Sequence, residues 1–336
     1  MAGQPKGPFY AVLGIIIVGL VAFAIYRSDL FAPREKTPGT DVALLPGGEQ
    51  VEDASNPTGV TTVKEYTFKP VERLPQVKGT SAYKPMTDNT VRFALNVWAG
   101  WAPIIYANNG FRPGKVWKTP DGKDFKVELV LIDNPVAMRD AYAAGDVHIG
   151  WATLDMVPLF MEGFVDVTGK PRDSRVMPRI YQQVDWSNGG DGIVVRDYIK
   201  TVSDLRGKKL VLAQNSPSQY FALNMLVSGG VQPSEVNMIY TEDAFQAAAA
   251  FNAQKDIAGA VSWAPDIYNL EKVKGNRMLV TTATANKLIA DVWFARADFA
   301  QDNPGIMESL VRGIFDAMVD LKEETNRKKV AELMAA

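Results

Sequence analysis

From residue 90 onwards the chain alternates between short apolar segments of strand length and longer segments with helical spacing. Val91–Val97 and Phe125–Ile132 predict two strands, and Asn134-Pro135 predicts the start of a helix that ends at Gly145. The alternation continues with strands at 146–151, 208–213 and 257–262 and helices at 218–228 and 243–254. This order is typical of an α/β fold with a mostly parallel sheet.

An internal repeat divides this region into two similar halves. DVHIGWATLDM at 146–156 and DIAGAVSWAPDI at 256–267 each follow an alanine-containing helix, and each strand ends in Trp-Ala with an aspartate shortly after. Two α/β halves indicate two lobes with a cleft between them. The alternative, that the similarity reflects only the general pattern of α/β proteins, stays open from the sequence alone.

The residue composition excludes several classes of chemistry. The chain contains no cysteine and a single histidine, His148. The absence of cysteine excludes disulfides, thiolate metal sites and cysteine nucleophiles. One histidine disfavours a histidine metal site or triad, and we expect His148 to be structural. The net charge of −2 gives no reason to expect nucleic acid as a partner. We therefore expect no metal, no cofactor and no nucleic-acid partner.

The ends of the predicted strands carry residues that bind rather than react. Ligands of open parallel sheets gather at the carboxyl ends of the strands. Four such ends carry indole, glycine, amide and hydroxyl groups: 98–101 (WAGW), 152–153 (AT), 214–216 (QNS) and 262–263 (SW). None of these four ends carries a Glu–Asp pair or a lysine nucleophile. The sequence therefore predicts a recognition site for a small polar molecule, not a catalytic centre.

Two tryptophans flank a glycine at the first of these ends. We expect the backbone at Gly100 to approach a ligand closely, because glycine has no side chain to prevent it. At least one of Trp98 and Trp101 is expected to cover that ligand. Packing in the core is the alternative role for either indole.

Five segments together resemble the substrate-binding proteins of ABC importers for nitrate, sulfonates, taurine and related small solutes. The most specific shared feature is DGIVV followed by SDLRGKK. The segments cover residues 98–103, 137–155, 187–223, 242–267 and 291–318. The resemblance implies a two-lobed periplasmic-binding-protein-like clamp of type II at 89–336. Lobe one would comprise about 90–188 and 290–336, and lobe two about 189–289, with crossovers near Ser187–Gly190 and Ala290-Asp291.

The resemblance also implies a function and a set of ligand contacts. Such a clamp captures a small polar, anionic solute and delivers it to an ABC permease, without enzymatic activity. The alternative is an envelope adaptor or sensor that keeps the clamp fold without acting in transport. The implied ligand-binding residues are Trp98, Gly100, Trp101 and Thr153 on lobe one, Asn188, Gly189 and Asp191 at the hinge, Asn215, Ser216, Ser262 and Trp263 on lobe two, and Asp291 at the second crossover.

One enzyme branch with a similar fold makes a pyrimidine precursor of thiamine. It uses a lysine-bound pyridoxal phosphate, a histidine donor and a cysteine-rich iron motif. This chain has no cysteine, and its one histidine lies in a predicted strand. We therefore do not expect that activity.

The chain also departs from the family in ways that weaken any transfer of ligand identity. Ala264 and His148 occupy positions where relatives often have an acidic residue. The last residues, NRKKVAELMAA, have the pattern of a helix interior. Truncation of the chain before a further domain is therefore one interpretation.

The N-terminal region carries a separate signal. Phe9–Tyr26 is 18 residues without a charge, about 27 Å as a helix. We predict an uncleaved transmembrane anchor, because the cleavage-type triplet Ala22-Phe23-Ala24 lies inside the apolar segment; a cleaved signal peptide is the alternative. Residues 27–88, rich in proline and glycine, predict a tether or a loosely packed wrap. The body is then expected in the periplasm or outside the cell, held to the inner membrane by a single span.

Overall fold

The computed structural model describes residues 59–285 and 287–335, which belong to one compact unit. Within this part of the chain, no helix is both long enough and apolar enough to cross a membrane. The predicted anchor at Phe9–Tyr26 and the first part of the predicted tether lie outside the described residues.

Two six-stranded sheets form the body. The first has the strand order β3-β4-β2-β5-β12-β6, and its strands are β2 (Thr90–Leu95), β3 (Trp117–Lys118), β4 (Asp124–Leu131), β5 (Ile149–Thr153), β6 (Pro178–Trp186) and β12 (Ala290–Arg296). The second has the order β1-β9-β8-β10-β7-β11, and its strands are β1 (Phe68–Lys69), β7 (Asp191–Arg196), β8 (Lys209–Ala213), β9 (Asn237–Thr241), β10 (Gly259–Trp263) and β11 (Asn276–Thr281).

Each sheet combines a parallel centre with antiparallel strands. In the first sheet β2 runs parallel to β4 and β5, whereas β12 runs antiparallel to β5 and β6. In the second sheet β8 runs parallel to β9 and β10, whereas β7 runs antiparallel to β10 and β11. The two sheets therefore repeat one arrangement, as the internal repeat predicts.

Two of the helices begin at capping residues that the sequence provides. Asn134 accepts a hydrogen bond from Ala137 N at 2.9 Å, and Asp243 accepts one from Gln246 N at 2.8 Å. The first of these helices ends just before Gly145, which has a φ of +76°. The α-helices are Ala102–Asn108, Pro135–Ala143, Val157–Phe164, Pro217–Ser228, Ala244–Ala253, Asp266–Glu271, Ala297–Asp302, Pro304–Asp320 and Glu324–Ala335.

The chain crosses between the two sheets twice. It leaves β6 at Trp186 and enters β7 at Asp191, and it leaves β11 at Thr281 and enters β12 at Ala290. Each sheet has its own hydrophobic core. These features confirm the predicted two-lobed α/β fold of the periplasmic-binding-protein type.

Residues 59–89 lie along the body and contact both lobes. β1 pairs with β9 on lobe two, and Glu72 N donates to the Gln214 side chain at 3.0 Å. Further along, Ser81 N donates to Ala143 O on lobe one at 3.2 Å. The described part of the segment predicted as a tether or wrap is therefore a wrap that bridges the lobes.

The predicted strand 146–151 is shifted, and no strand was predicted at β1, β3, β6, β7, β9, β11 or β12. β5 begins at Ile149, because Asp146 to His148 still belong to the turn that follows the preceding helix. β9, with the sequence NMIYT, alternates too briefly to produce a clear period of two. This second difference affects the site, because Glu242 and Asp243 follow β9 directly.

His148 is buried and structural, as expected. It is 1% exposed, its Nδ1 accepts from Arg92 N at 2.9 Å, and its Nε2 lies 2.9 Å from Lys84 O. Burial lowers the pKa of His148 from 6.5 to about 4. The unfolded chain therefore binds the proton first, and stability is lost as the pH falls from about 6.5 through 4.

We expect this histidine to contribute a pH dependence that a substitution removes. Acidification from pH 7 to pH 4 should cost the wild type about 3 kcal/mol through His148 alone. His148→Gln should lose correspondingly less over the same interval, although it is less stable at pH 7. Urea unfolding of both proteins at the two pH values measures this difference; parallel losses would contradict it.

Candidate functional site

A cavity lies between the lobes, where strands of both sheets end. Its volume is about 40 Å³, several times the ~10–15 Å³ that one ordered water needs. Lobe one, lobe two and both crossovers all contribute to its lining. The lining residues are Asn96, Trp98, Asp133, Pro135, Trp151, Thr153, Asp191, Ala213, Gln214, Ser216, Pro217, Glu242, Asp243, Phe245, Trp263, Ile289 and Asp291.

Six of the twelve predicted contact residues line this cavity. They are Trp98, Thr153, Asp191, Ser216, Trp263 and Asp291. The other six lie outside the lining: Gly100, Trp101, Asn188, Gly189, Asn215 and Ser262. The rule that ligands gather at strand ends therefore locates the cavity. Most of the six predicted residues outside its lining form hydrogen bonds within the fold instead.

The two tryptophans of the WAGW turn have different environments. Trp101 is fully buried, stacks on Trp293 with ring centroids 5.3 Å apart, and donates to Asn96 Oδ1 at 2.7 Å. Trp98 is partly buried, lines the cavity, and donates to Asp185 Oδ2 at 3.3 Å. A Cβ at Gly100 would overlap Asp185 Oδ2 and Trp98 Nε1. The glycine therefore makes room for this indole–carboxylate pair.

The predicted hinge residues hold the crossover together. Gly189 N donates to Thr282 Oγ1 at 2.9 Å, and Gly189 O accepts from Tyr268 Oη at 2.6 Å. Its φ of +87° lies in the region that favours glycine. Asn188 is exposed. These contacts link the first crossover to the second one, which contains Thr282.

The predicted lobe-two residues divide between lining and support. Ser216 precedes helix Pro217–Ser228, donates through its Oγ to Ala213 O at 2.8 Å, and lines the cavity. Asn215 has a φ of +55°, and its N–H donates to the Gln219 side chain at 2.6 Å. Ser262 is buried and donates to Ala244 O at 2.9 Å. Asn215 and Ser262 therefore shape the wall behind Ser216 and Trp263.

Three acidic lining residues escaped the sequence predictions. Asp133 follows β4 and accepts from Val97 N at 2.7 Å. Glu242 and Asp243 follow β9 and form a Glu–Asp pair at a strand end, a feature that the four predicted strand ends lack. The sequence feature that could have predicted this pair is the junction of NMIYT with Glu242 and Asp243. It indicates a strand end only when NMIYT is assigned as a strand.

Asp291 forms a buried carboxyl pair with Asp185. Asp291 lies directly opposite Asp185 on β6 and Thr153 on β5, and it is 5% exposed. Burial, followed by the charge of Asp185 and a hydrogen bond between the two carboxyl groups, raises the pKa of Asp291 well above 3.8. A hydrogen bond between two carboxyl groups requires a proton on one of them.

Asp191 is the second buried acid of the cavity wall. It is 3% exposed, and its Oδ2 accepts from Ser187 Oγ at 2.5 Å. Burial raises the pKa of Asp191 to about 7, with smaller contributions from the charges of Asp155 and Asp185, and the Ser187 hydrogen bond opposes this rise.

Aromatic rings and two unused polar groups complete the wall. Trp98, Trp151, Phe245 and Trp263 line the cavity, and Phe245 packs edge-on against Trp263 at 5.3 Å between centroids. Trp263 Nε1 and Thr153 Oγ1 are buried atoms that form no hydrogen bond of normal geometry within the described residues. Buried polar atoms of this kind are usually satisfied by a ligand or by water.

Comparison with known proteins identifies a family model and a curated relative that this chain resembles. Residues 190–326 match the family described as NMT1/THI5 like. The taurine-binding periplasmic protein of Escherichia coli (strain K12) is 27% identical over 218 residues, which cover 62% of this chain and 63% of the relative. The chain therefore spans less than two thirds of the length of this curated relative.

Solved structures show the same fold at low identity. The periplasmic aliphatic sulphonate binding protein SsuA from Escherichia coli has a TM-score of 0.55 at 17% identity, covering 74% of this chain and 80% of that chain. The periplasmic nitrate-binding protein NrtA from Synechocystis PCC 6803 has a TM-score of 0.56 at 18% identity, covering 74% and 66%. These findings confirm the resemblance to substrate-binding proteins of ABC importers.

The same fold also occurs in an enzyme. The desulfurization enzyme DSZB has a TM-score of 0.51 at 17% identity, covering 74% of this chain and 80% of that chain. The fold therefore does not separate binding from catalysis, which the residues of the site must decide.

Proposed function

We propose that this chain is the solute-binding clamp of an ABC-type uptake system. A small polar solute occupies the cavity between the lobes, and the lobes close around it by rotation at the two crossovers. The closed form is favoured because the solute contacts both lobes only in that form.

One observation carries this proposal. The cavity lies at the junction of the two sheets, is lined from both lobes, and contains the unused groups Trp263 Nε1 and Thr153 Oγ1. A polar solute between the lobes would provide partners for both groups. Among the described residues the lining contains no lysine, histidine or cysteine, so the groups able to act as a general base are carboxylates, and the hydroxyls of Thr153 and Ser216 lack a histidine or lysine to activate them.

The body acts outside the cytoplasm in this proposal. Its support is the apolar segment Phe9–Tyr26 and the similarity to a relative named as periplasmic. The segment would anchor the clamp to the inner membrane. An ABC permease is the partner that would accept the solute.

A thermal-shift screen tests solute binding. The full chain, purified in mild detergent, is tested with nitrate, bicarbonate, alkyl sulfonates, taurine, amino acids, choline and polyamines. A solute at one hundred times its Kd should raise the Tm by about 5 °C or more. Trp263→Ala should abolish that shift while the protein remains folded.

A folded protein that responds to none of these solutes would contradict the proposal. In that case an envelope adaptor or sensor that keeps the clamp fold becomes the better interpretation. A pull-down of the anchored chain from membranes would then recover a stable protein partner.

A further inference from the structure

The cavity carries an excess of negative charge. Five carboxylates line it, and among the described residues no lysine, arginine or histidine does so. Lys69 lies 3.3 Å from Glu242 but is about half exposed, and it contacts only that one acid. The wall therefore contains acidic groups that have no basic residue beside them in the described part of the lining.

Three of the five acids have structural roles. Asp133 accepts from Val97 N, and Asp243 accepts from Gln246 N at the start of its helix. Glu242 pairs with Lys69 and accepts from Asn134 Nδ2 at 3.2 Å. Asp191 and Asp291 remain, and these two are the buried acids of the wall.

The charged groups that raise the pKa values of Asp191 and Asp291 are all acidic. Asp185 and Asp155 raise both values, and no basic residue lowers either one. Two carboxyl groups directly opposite each other on neighbouring strands repel when both are ionised, and Asp185 faces Asp291 in that way. A buried carboxylate without a positive partner is costly. A cation bound beside Asp191 and Asp291 would therefore stabilise their ionised forms.

The rings around the two acids indicate what kind of cation fits. Trp98, Trp151, Phe245 and Trp263 line the same cavity, and aromatic faces attract ammonium groups, most strongly when these are desolvated. A metal ion is a poor fit, because the described residues contain no group of three or more acidic or histidine ligands arranged to hold one. An organic ammonium group satisfies both the acids and the rings.

We propose that this cavity recognises its solute through an ammonium group, which the carboxylates of Asp191 and Asp291 bind and the surrounding aromatic rings enclose. This inference rests on the proposed function and specifies its substrate class. Trp263 Nε1 has no acceptor among residues 59–285 and 287–335, so the solute should also carry an oxygen that accepts a hydrogen bond. Cationic amino alcohols and zwitterionic aminosulfonates share both features.

The resemblance implies an anionic solute, but the acidic wall of the cavity argues against one. An anion in this cavity would be repelled by Asp191 and Asp291 wherever these carboxyl groups are ionised, because like charges repel strongly in a medium of low polarity. The start of helix Pro217–Ser228 offers only a partial positive charge. A solute with an anionic end needs a positive end to occupy this site.

Affinity should therefore depend on pH in a specific direction. An ammonium ligand binds the ionised form of Asp191, whose pKa is about 7 and which is surrounded by Asp155, Asp185 and Asp291. Binding of a permanently charged ligand should become tighter as the pH rises from 6 to 8. Binding of an anion should become weaker over the same interval.

Two matched pairs of compounds test the inference in the full chain. Choline and 3,3-dimethyl-1-butanol have the same shape and differ in charge, and taurine and isethionate differ by an ammonium against a hydroxyl group. We expect at least one ammonium member to bind at least about thirty-fold more tightly than its partner, as measured by calorimetry, and to bind more tightly at pH 8 than at pH 6. Preference for choline would identify the solute as a cation, and preference for taurine would identify it as a zwitterion.

Substitutions test the residues. Asp291→Asn should weaken binding of the preferred ammonium compound at least about thirty-fold, because it removes one partner of a buried charge pair. Asp316→Asn, on the exposed face of helix Pro304–Asp320, removes an acid outside the cavity and should leave affinity unchanged.

Four results would overturn the inference. Equal or tighter binding of nitrate or isethionate would do so while leaving the clamp function intact, as would stabilisation by calcium or magnesium ions alone. Unchanged affinity of Asp291→Asn for the ammonium compound would show that the Asp291 carboxylate does not bind it. A folded protein that binds no solute in the screen would exclude the inference and the clamp function together.

Discussion

Replacing Trp101 by alanine is expected to destabilise the folded protein by about 3–5 kcal/mol, the range for removal of a large buried aromatic side chain. Trp101 is fully buried, stacks on Trp293 and donates to Asn96. Its loss leaves a cavity inside lobe one and an amide oxygen without its donor. The midpoint of urea unfolding should fall accordingly.

Trp98→Ala is the matched substitution at the other end of the same turn. Trp98 is partly buried and lines the cavity between the lobes, so its removal should cost only about 1 kcal/mol of stability. Its main effect should be on affinity, because the solute loses one ring of its enclosure. Binding titrations and urea unfolding, applied to both variants, separate the two roles. Equal losses of stability would show that both indoles belong to the core.

The strand ends of the site were predictable, but the direction of individual side chains was not. The pattern around residues 98–101 locates a turn between a strand and a helix, and both tryptophans suit such a turn. Which indole enters the core depends on Trp293, which lies almost 200 residues further along the chain and stacks on Trp101. Local patterns carry no information about that contact.

The charge of the site escaped prediction for two physical reasons. Glu242 and Asp243 follow β9, whose five residues are too few to show a clear strand period. Asp185 and Asp291 become neighbours only through the antiparallel register of β6 and β12, which contains irregularities next to Asp291. Because the sequence alone does not reveal that register, it shows two separate aspartates and gives no sign that they form a pair.

The fold was more accessible than the site because it rests on many weak signals that agree. The caps at Asn134 and Asp243 and the stop at Gly145 are each local, and the structure contains all three. Their agreement specifies an α/β order even where several strands are missed. A binding site depends on a few long-range contacts, so the missed strands β6, β9 and β12 change its chemistry.

Asp191→Asn should make the empty protein more stable at pH 8, although it removes a hydrogen-bonded polar residue from the interior. The pKa of Asp191 is raised from 3.8 to about 7 in the folded protein. A raised pKa contributes stability that is present below about pH 4 and is lost as the pH rises through 7. At pH 8 the wild type therefore holds an ionised carboxylate in a buried, acidic environment, at a cost of about 4 kcal/mol.

Asparagine avoids that cost because it is neutral at every pH, and its Oδ1 still accepts from Ser187 Oγ. We expect Asp191→Asn to be more stable than the wild type by about 3 kcal/mol at pH 8, and to have little or no advantage at pH 4. Urea unfolding of ligand-free protein at both pH values measures the difference, with Asp316→Asn as the control that should match the wild type. A variant that is no more stable at pH 8 would show that Asp191 is neutralised within the protein. A stabilised variant that has lost solute binding would show that the carboxylate is kept for recognition at the expense of stability.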